Sequence, residues 1–369
     1  MKNPDGKNFR PASNMQKIVV KIGTNVLSRP DGQLDITAIS QIVDQIAEVK
    51  KRGTEVVLVS SGAVGAGRSI ATLPKDVSRV VQRQVLAAVG QIKLMSIYAD
   101  LFGRYGLLCA QVLATKEDFR DRLHYLNMQN CFAALLRDNI IPIVNENDVI
   151  SVSELMFTDN DELAGLVAAL TGANGLIILS NVDGVYDGPP GNPDSRVIPE
   201  ILPGERMQPG LIDPARSTFG RGGMMTKFRF AQKAARVGIT TWIANGKRPG
   251  VLSDLLNGVP AGTCFRAKSA VNNLKRWIAY DDHTARKGAI VVNAGAENAL
   301  KSQVSSLLPV GVLRIDGDFE KGDLVNITGE KGAVIGFGKV QLGAEAARKI
   351  IGQKGKKPLV HYDYLFLED

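Results

Sequence analysis

Residues 18–25, Ile18-Val19-Val20-Lys21-Ile22-Gly23-Thr24-Asn25, carry a short β-branched run directly into a lysine and a Gly-Thr turn. A run of this kind favours a buried strand. The segment Ile36 to Arg52 then shows helical spacing of apolar residues, and a second apolar run, Glu55 to Ser60, follows it. Two continuous apolar strands joined through a helix predict the first unit of a parallel sheet.

The same alternation continues to about Gly262. Further strands are predicted at Ile140 to Val144, Gly175 to Leu179 and Thr240 to Ala244, and further helices at Val80 to Tyr105 and Asn160 to Leu170. The pattern predicts an α/β fold, an αβα sandwich with a mainly parallel sheet. Ligands of such sheets bind at the carboxyl ends of the strands, where this sequence places Lys21, Ser61 and the segment Asn145 to Asp148.

A change of composition near Ala267 to Lys275 separates this pattern from the rest of the chain. Beyond it, turn signals such as Asp316-Gly317 separate short runs, with strands predicted at Ala289 to Val292, Val310 to Ile315, Leu324 to Ile327 and Ala333 to Lys339. These features predict a second, small β-rich domain. The polar residues 1–14 predict a disordered tail, and the Pro- and Gly-rich segment Gly188 to Pro209 predicts an exposed loop.

The bulk composition narrows the class of protein. The 369 residues are 44% hydrophobic with a formal net charge of +8, and no apolar run reaches the roughly 20 residues of a membrane span. We therefore expect a soluble, cytoplasmic protein. The three cysteines and three histidines are widely spaced, which supports neither a zinc site nor a disulfide framework nor a histidine-based catalytic triad.

A second glycine-rich stretch, Gly220-Arg221-Gly222-Gly223-Met224-Met225-Thr226-Lys227, precedes a helical pattern. Glycines let backbone N–H groups approach an anion, a following helix N-terminus adds partial positive charge, and a lysine adds a full one. The spacing differs from that of a Walker P-loop. Because Lys21 also lies in a glycine turn, the two lysines together predict a site for one polyphosphate.

Several motifs, in this order, resemble those of the glutamate 5-kinases of the amino acid kinase superfamily: VVKIGTNVL, VVLVSSGAVGAG, PIVNENDVIS, FTDNDELAGLVAAL, LSNVDGVYD and GRGGMMTKFRFAQKAARVGI. The segment SLLPVGVLRIDGDFEKGDLVNITG resembles the PUA domain found at the end of many of those enzymes. The resemblance covers nearly all of the chain from Lys17 onward. It implies an amino acid kinase domain at residues 15–268 and a PUA domain at residues 273–364.

The resemblance also implies an activity, namely transfer of the ATP γ-phosphoryl group to the side-chain carboxylate of L-glutamate, the first step of proline biosynthesis. Mg²⁺ would bridge phosphate oxygens of ATP. The family further implies a homo-oligomer, feedback inhibition by L-proline, and delivery of the glutamyl phosphate to a glutamyl phosphate reductase.

The site residues follow by position from the resemblance. Lys21, Lys227 and Asp161 match the catalytic residues, and Ser61, Asp148 and Asn160 match those that bind glutamate. The positions that match the ATP-binding residues are Lys21, Ser180, Asn181, Gly220, Arg221, Gly222, Gly223, Met224, Met225, Thr226 and Lys227. No metal ligand is assigned. The polar cluster Asp159 to Glu162 also suits a helix cap, which requires a single such residue.

Two departures from the family pattern affect the nucleotide side. The pair after the strand at Leu176 to Leu179 is Ser180-Asn181 where the family commonly has Thr-Asp, so a carboxylate is lost. Arg221 stands where threonine is common and adds a positive charge.

Two alternatives remain open from the sequence. One is another member of the superfamily, an acetylglutamate, aspartate or carbamate kinase, whose acceptors have similar chemistry. The other is an RNA-binding or RNA-modifying protein, which the PUA-like segment and the basic sequence pI of about 9.3 favour. The basic segment Arg348 to Lys357 could contact phosphates or be an exposed helix end and turn, and the aromatic content of only 6% argues against a reader of single-stranded RNA.

Overall fold

The computed structural model describes residues 15–74, 76–151, 157, 159–189, 192–203, 205, 223–267, 276, 286–302 and 305–367. The chain divides into two compact units, Met1–Ala270 and Val271–Asp369. The tail at residues 1–14 and the domain limits expected near residues 268 and 273 lie outside the described residues and stay predictions.

The first unit is built on an eight-stranded sheet. Its strands are β1 (Lys17–Ile22), β2 (Glu55–Ser60), β3 (Cys109–Ala114), β4 (Ile141–Glu146), β5 (Gly175–Ser180), β6 (Glu200–Ile201), β7 (Thr240–Asn245) and β8 (Thr263–Phe265). Their order in the sheet is β3-β4-β2-β1-β5-β7-β8-β6. All neighbouring pairs are parallel except β7 with β8. The mainly parallel sheet predicted from the sequence is therefore confirmed.

Helices join and cover these strands. They are α1 (Thr24–Leu27), α2 (Ile36–Lys51), α3 (Ala63–Arg68), α4 (Arg79–Gly103), α5 (Lys116–Arg120), α6 (Arg122–Arg137), α7 (Asn160–Thr171), α8 (Met224–Arg236) and α9 (Val251–Leu256). Asp35 starts α2 and Ser78 starts α4, each accepting a hydrogen bond from a backbone N–H of the first turn. These caps explain why the helices begin where the apolar periodicity begins.

The central strand β1 is buried on both faces, as its continuous apolar run predicts. Its alternate residues Ile18, Val20 and Ile22 belong to one hydrophobic cluster with buried residues of α2, α4 and α9. Because side chains alternate along a strand, Lys21 lies on the opposite face, which α7 covers. The alternation therefore places the side chain of Lys21 against the start of α7.

Helix α4 packs tightly against α3. A Cβ atom on Gly90 would lie 1.8 Å from the carbonyl oxygen of Ala63, and one on Gly67 would lie 2.0 Å from that of Leu86. By length and composition alone α4 could cross a membrane, which the sequence analysis did not anticipate. Its residues from Leu86 to Phe102 include nine buried ones, several of them in the same hydrophobic cluster as β1, so it is a core helix of this unit.

Three strands of the first unit had no sequence prediction. β3 is the edge strand and alternates exposed with half-buried residues, so it lacks the continuous apolar run of the central strands. β8 is three residues long, and β6 is a two-residue strand inside the segment expected to be a loop. Strands this short give no detectable periodicity.

The second unit is a separate five-stranded sheet with its own core. Its elements are β9 (Gly288–Val292), α10 (Ala294–Ser302), β10 (Val312–Gly317), β11 (Leu324–Thr328), β12 (Val334–Val340), α11 (Ala344–Arg348) and β13 (Val360–Leu367). The strand order is β10-β9-β11-β12-β13, with β9 and β11 parallel and the other pairs antiparallel. The predicted β-rich character is confirmed, whereas β13 and α10 were not predicted.

Candidate active site

Two lysines converge on one buried carboxylate at the carboxyl edge of the first sheet. Lys21 Nζ lies 2.5 Å from Asp161 Oδ1, and Lys227 Nζ lies 2.8 Å from Asp161 Oδ2. Lys21 comes from β1, Asp161 from the first turn of α7, and Lys227 from the first turns of α8. Asp161 is fully buried, and both lysines are almost so. Three residues widely separated in the sequence thus form one cluster of charges, and the carboxyl group of Asp159 also acts on both lysines.

Burial and mutual attraction set the charges of this group. Burial alone raises the pKa of Asp161, but the two adjacent lysines outweigh it and hold that pKa below its usual value. Burial lowers the pKa of Lys21 against the opposing pull of Asp161. For Lys227 burial also acts to lower the pKa, but Asp161 overcomes it and the pKa is raised.

The start of α7 gives each of its acidic residues a different role. Asp159 Oδ1 caps the helix by accepting hydrogen bonds from the backbone N–H groups of Asp161 and Glu162. Glu162 forms an ion pair with Lys116 at 3.1 Å. Burial, followed by the charge of Asp161, raises the pKa of Asp159 to about 6. Capping therefore accounts for one of the carboxylates, and Asp161 serves the lysines instead.

Asn160 connects α7 to the ends of two neighbouring strands. Its Nδ2 donates to Ser61 Oγ at 3.0 Å and to Asn145 Oδ1 at 3.1 Å. The Asn145 amide in turn donates to Gln91 Oε1 of α4 at 3.1 Å. Ser61 and Asn160, both predicted to bind substrate, are thus in direct contact. Gly62, with a φ of 107°, turns the chain from Ser61 into α3.

Two carboxyl groups follow at the end of β4, that of Glu146 buried and that of Asp148 on a side chain that is 9% exposed. Asp148 accepts from Arg83 Nε at 3.0 Å and from Arg83 Nη2, and the same Nη2 lies 3.6 Å from Glu146 Oε2. Burial and then the charge of Asp148 raise the pKa of Glu146 to about 7. Burial also raises the pKa of Asp148, against the opposing effect of Arg83. A cavity of about 260 Å³ borders both carboxylates between α4 and the ends of β3 and β4.

The structure describes part of the predicted nucleotide-binding region. Ser180 Oγ lies 3.5 Å from Asn181 Oδ1 just after β5. Gly223 precedes α8, and its backbone N–H donates to Thr226 Oγ1 at 3.3 Å. Met224 and Met225 form the first turn of the same helix, with Met225 exposed. Gly220, Arg221 and Gly222 lie outside the described residues.

The sequence analysis missed two residues at this edge, Arg83 and Gln91. Arg83, on the first turns of α4, and Gln91, two turns further, have no local motif, since charged and amide residues are common on helix surfaces. Asp159 Oδ2 is buried and has no hydrogen-bond partner among the residues that the structure describes. Within those residues, no group of three or more His, Cys, Asp or Glu side chains could hold a metal ion.

Comparison with known protein families assigns both units. Residues 16–245 match the profile of the amino acid kinase family, and residues 288–362 match that of the PUA domain.

Relatives of known name resemble the chain along almost its whole length. A glutamate 5-kinase of Chlorobaculum tepidum is 50% identical over 355 residues, which are 95% of this chain and 97% of the relative. That of Bacteroides thetaiotaomicron is 50% identical over 356 residues, covering 95% and 98%. The glutamate 5-kinase of Thermus thermophilus is 39% identical over 374 residues, covering 98% and 100%.

Solved structures with low sequence identity share the fold of the first unit. An isopentenyl phosphate kinase in a substrate complex covers 68% of this chain and 100% of its own, with 18% identity and a TM-score of 0.51. The carbamate kinase from Giardia lamblia bound to AMP-PNP covers 69% and 100%, with 19% identity and a TM-score of 0.50.

Proposed function

The chain belongs to the amino acid kinase family and, within it, to the glutamate 5-kinases, and from this premise we propose that it transfers the γ-phosphoryl group of ATP to the side-chain carboxylate of L-glutamate. The observation that carries the proposal is the pair of lysines held on Asp161. The product is glutamyl 5-phosphate, the first intermediate of proline biosynthesis.

The acceptor explains why the site contains lysines rather than a histidine base. A glutamate side chain has a pKa of about 4.3 in water and is already ionised at neutral pH, so no proton has to be removed before it attacks. The difficulty is to bring two anions into line and to compensate the charge on the transferring phosphoryl group. Fixed cations supply that compensation.

Lys21 and Lys227 are proposed to bind the phosphate oxygens from two sides. Asp161 holds the two ammonium groups close together against their mutual repulsion, and the remaining N–H donors of each ammonium can bind the oxygens of a polyphosphate. Gly23 allows close approach here, because a Cβ on it would lie 3.6 Å from Lys21 Nζ and 3.2 Å from the carbonyl oxygen of Leu179. The site is in this way preorganised before substrates bind.

Mg²⁺ is proposed to enter with ATP. Magnesium keeps several waters and is usually bound by the substrate phosphates together with only one or two carboxylates. A complete set of protein ligands is therefore not required. The buried Oδ2 of Asp159, without a hydrogen-bond partner among the described residues, fits such a ligand. The ion would supply neutralisation of the phosphate charge.

Ser61, Asn160 and Asp148 are proposed to hold glutamate. Hydroxyl and amide groups suit the carboxylates of the substrate, and a carboxylate suits its α-ammonium group. Nucleotide contacts are proposed for Ser180 and Asn181 and for the loop before α8, from Gly220 to Lys227. The neutral Asn181, in place of the common aspartate, weakens any interaction with a nucleotide hydroxyl or amine at that point.

The wider setting is proposed from the family alone. An acyl phosphate is reactive, so the product requires prompt consumption by a glutamyl phosphate reductase in the cytoplasm. L-Proline is proposed as a feedback inhibitor and the enzyme as a homo-oligomer.

RNA binding by the PUA unit is a second proposal. It is supported by the family match and by the exposed basic segment Arg348 to Lys357. Filter binding of RNA over a salt series would separate it from nonspecific attraction, which falls steeply with salt.

A substrate comparison tests the kinase activity. ADP release and trapping of the acyl phosphate with hydroxylamine would be measured with L-glutamate, N-acetylglutamate, aspartate and carbamate. We expect kcat/KM for L-glutamate to exceed the others by at least about 100-fold, which corresponds to about 3 kcal/mol of discrimination. Preference for any other acceptor would overturn the proposed substrate.

A further inference from the structure

Arg83 is a charged residue next to the proposed glutamate site that has no role in the proposed mechanism. Its guanidinium donates twice to Asp148 Oδ1 and approaches Glu146 Oε2. The arginine side chain is 32% exposed, whereas the side chains of Glu146 and Asp148 are much less exposed. Arg83 therefore contacts the two acids from their more exposed side.

Among the described contacts, Arg83 is a cation that meets both acids at the end of β4. Glu146 and Asp148 supply two carboxyl groups, and Arg83 supplies one positive charge. The α-ammonium of an amino acid would bind favourably to Asp148, but the α-carboxylate on the same carbon would then lie near a like charge. Such repulsion in a partly buried site is costly unless a cation accompanies it.

We propose that Arg83 binds the α-carboxylate of glutamate, so that the amino acid head group lies between Asp148, which takes the ammonium, and the guanidinium. This inference rests on the proposed glutamate kinase activity and names a specificity-determining residue for it. Without substrate, Arg83 and Asp148 form an ion pair with each other. Binding of glutamate replaces this ion pair, because Asp148 then contacts the ammonium and Arg83 contacts the α-carboxylate. Arginine suits the role because its planar fork matches a carboxylate with two parallel hydrogen bonds.

The test compares glutamate with 4-aminobutyrate, which keeps the accepting carboxylate and the ammonium but lacks the α-carboxylate. KM and kcat for glutamate, and the inhibition constant of 4-aminobutyrate against glutamate, would be measured for the wild type, Arg83→Gln and Arg83→Lys. In Arg83→Gln we expect KM for glutamate to rise at least 30-fold, about 2 kcal/mol, with kcat within threefold. The inhibition constant of 4-aminobutyrate should change less than threefold. Arg83→Lys, which keeps the charge without the fork, should recover part of the glutamate affinity.

Gln84 provides the matched control. It is the next residue on α4 and donates from Nε2 to the backbone carbonyl of Val149 at 2.7 Å. Gln84 therefore contacts the segment that follows β4, next to Asp148, through a neutral hydrogen bond. Gln84→Ala should change glutamate and 4-aminobutyrate binding by the same factor.

Three results would overturn the inference: an unchanged KM for glutamate in Arg83→Gln, a parallel weakening of 4-aminobutyrate, or a selective loss of glutamate in Gln84→Ala. Failure of the proposed function is distinct, since the wild type would then release no ADP with glutamate.

Discussion

Lys227 contributes to the proposed reaction through one ammonium group at a fixed point. Loss of a donor that stabilises transition-state charge commonly costs about 3 to 4 kcal/mol. We therefore expect Lys227→Ala to lower kcat more than 100-fold while KM for glutamate stays nearly unchanged. The control is Lys233→Ala in the last turn of the same helix, which should keep kcat within twofold. A Lys227→Ala protein with more than half of the wild-type kcat would contradict the proposed role.

Asp148 should show the opposite kinetic pattern, because its proposed partner is the α-ammonium of the substrate. Asp148→Asn is expected to raise KM for glutamate at least tenfold, about 1.4 kcal/mol, and to change KM for ATP less than twofold. Steady-state kinetics with each substrate varied in turn measure this. Equal changes for both substrates would indicate a general defect of folding or of metal binding.

Glu146 makes stability depend on pH. Its pKa is raised from 4.5 to about 7 by burial and by Asp148, so the folded protein binds this proton more tightly than the unfolded chain does. The contribution of Glu146 to stability is therefore lost as pH rises from about 4.5 through 7. Glu146→Gln should melt roughly 3 °C higher than the wild type at pH 8, and close to it at pH 5. Scanning calorimetry at both pH values measures the melting temperatures of the two proteins. A lower melting temperature of Glu146→Gln than of the wild type at pH 8 would contradict the prediction.

The residues of the site were predictable to different degrees, for a physical reason. Lys21 is visible because a lysine inside an apolar strand is unusual, and Asp161 because its neighbours exceed what a helix cap requires. Arg83 and Gln91 lie on helix faces where charged and amide residues are ordinary. Only the packing of α4 beside β4 reveals that they meet Asp148 and Asn145.

At the scale of elements, the contact of α3 with α4 fixes the turn that carries Ser61. Gly90→Ala would push a methyl group into the backbone of Ala63 and Gly67, with contacts of 1.8 and 2.3 Å. Overpacking of this kind against backbone costs about 3 kcal/mol. Denaturant unfolding should show that loss, together with a raised KM for glutamate.

Gly103, in the same helix, gives the control. A Cβ there meets no atom within 4 Å and the position is exposed at the end of the helix, so Gly103→Ala should change stability by less than about 0.5 kcal/mol. If Gly90→Ala and Gly103→Ala changed the free energy of unfolding by similar amounts, the close packing of α3 against α4 would not be what requires glycine at position 90.

The prediction of elements succeeded where burial on both sides left a continuous apolar run. β2 and β5 were found almost to the residue for this reason. β3 was missed because an edge strand exposes alternate side chains, including Leu113. β13 was missed because its aromatic and charged residues resemble an irregular segment. Sheet order could not be read from the chain, since pairing depends on contacts between distant segments.

At the scale of the whole molecule, each unit has a hydrophobic core of its own. The residues proposed for catalysis and binding all belong to the first unit. A protein ending near Lys268 should therefore fold and phosphorylate glutamate, with kcat/KM within about tenfold of the full chain. Sedimentation, proline inhibition and steady-state kinetics would be compared between the two. An insoluble or inactive product would show that the second unit completes the first.

The position of β1 in the sheet also determines when the chain can fold during synthesis. Lys17 hydrogen-bonds to Thr171 and Asn174, which follow it by 154 and 157 residues. At ribosomal rates of roughly 5 to 20 residues per second, β5 leaves the ribosome on the order of 10 to 30 s after β1. Throughout that interval the central strand β1 lacks one of its two neighbours. The nascent chain is therefore a ready target for holdase chaperones, and Asp161 meets its second lysine only after a further delay, when Lys227 has been made.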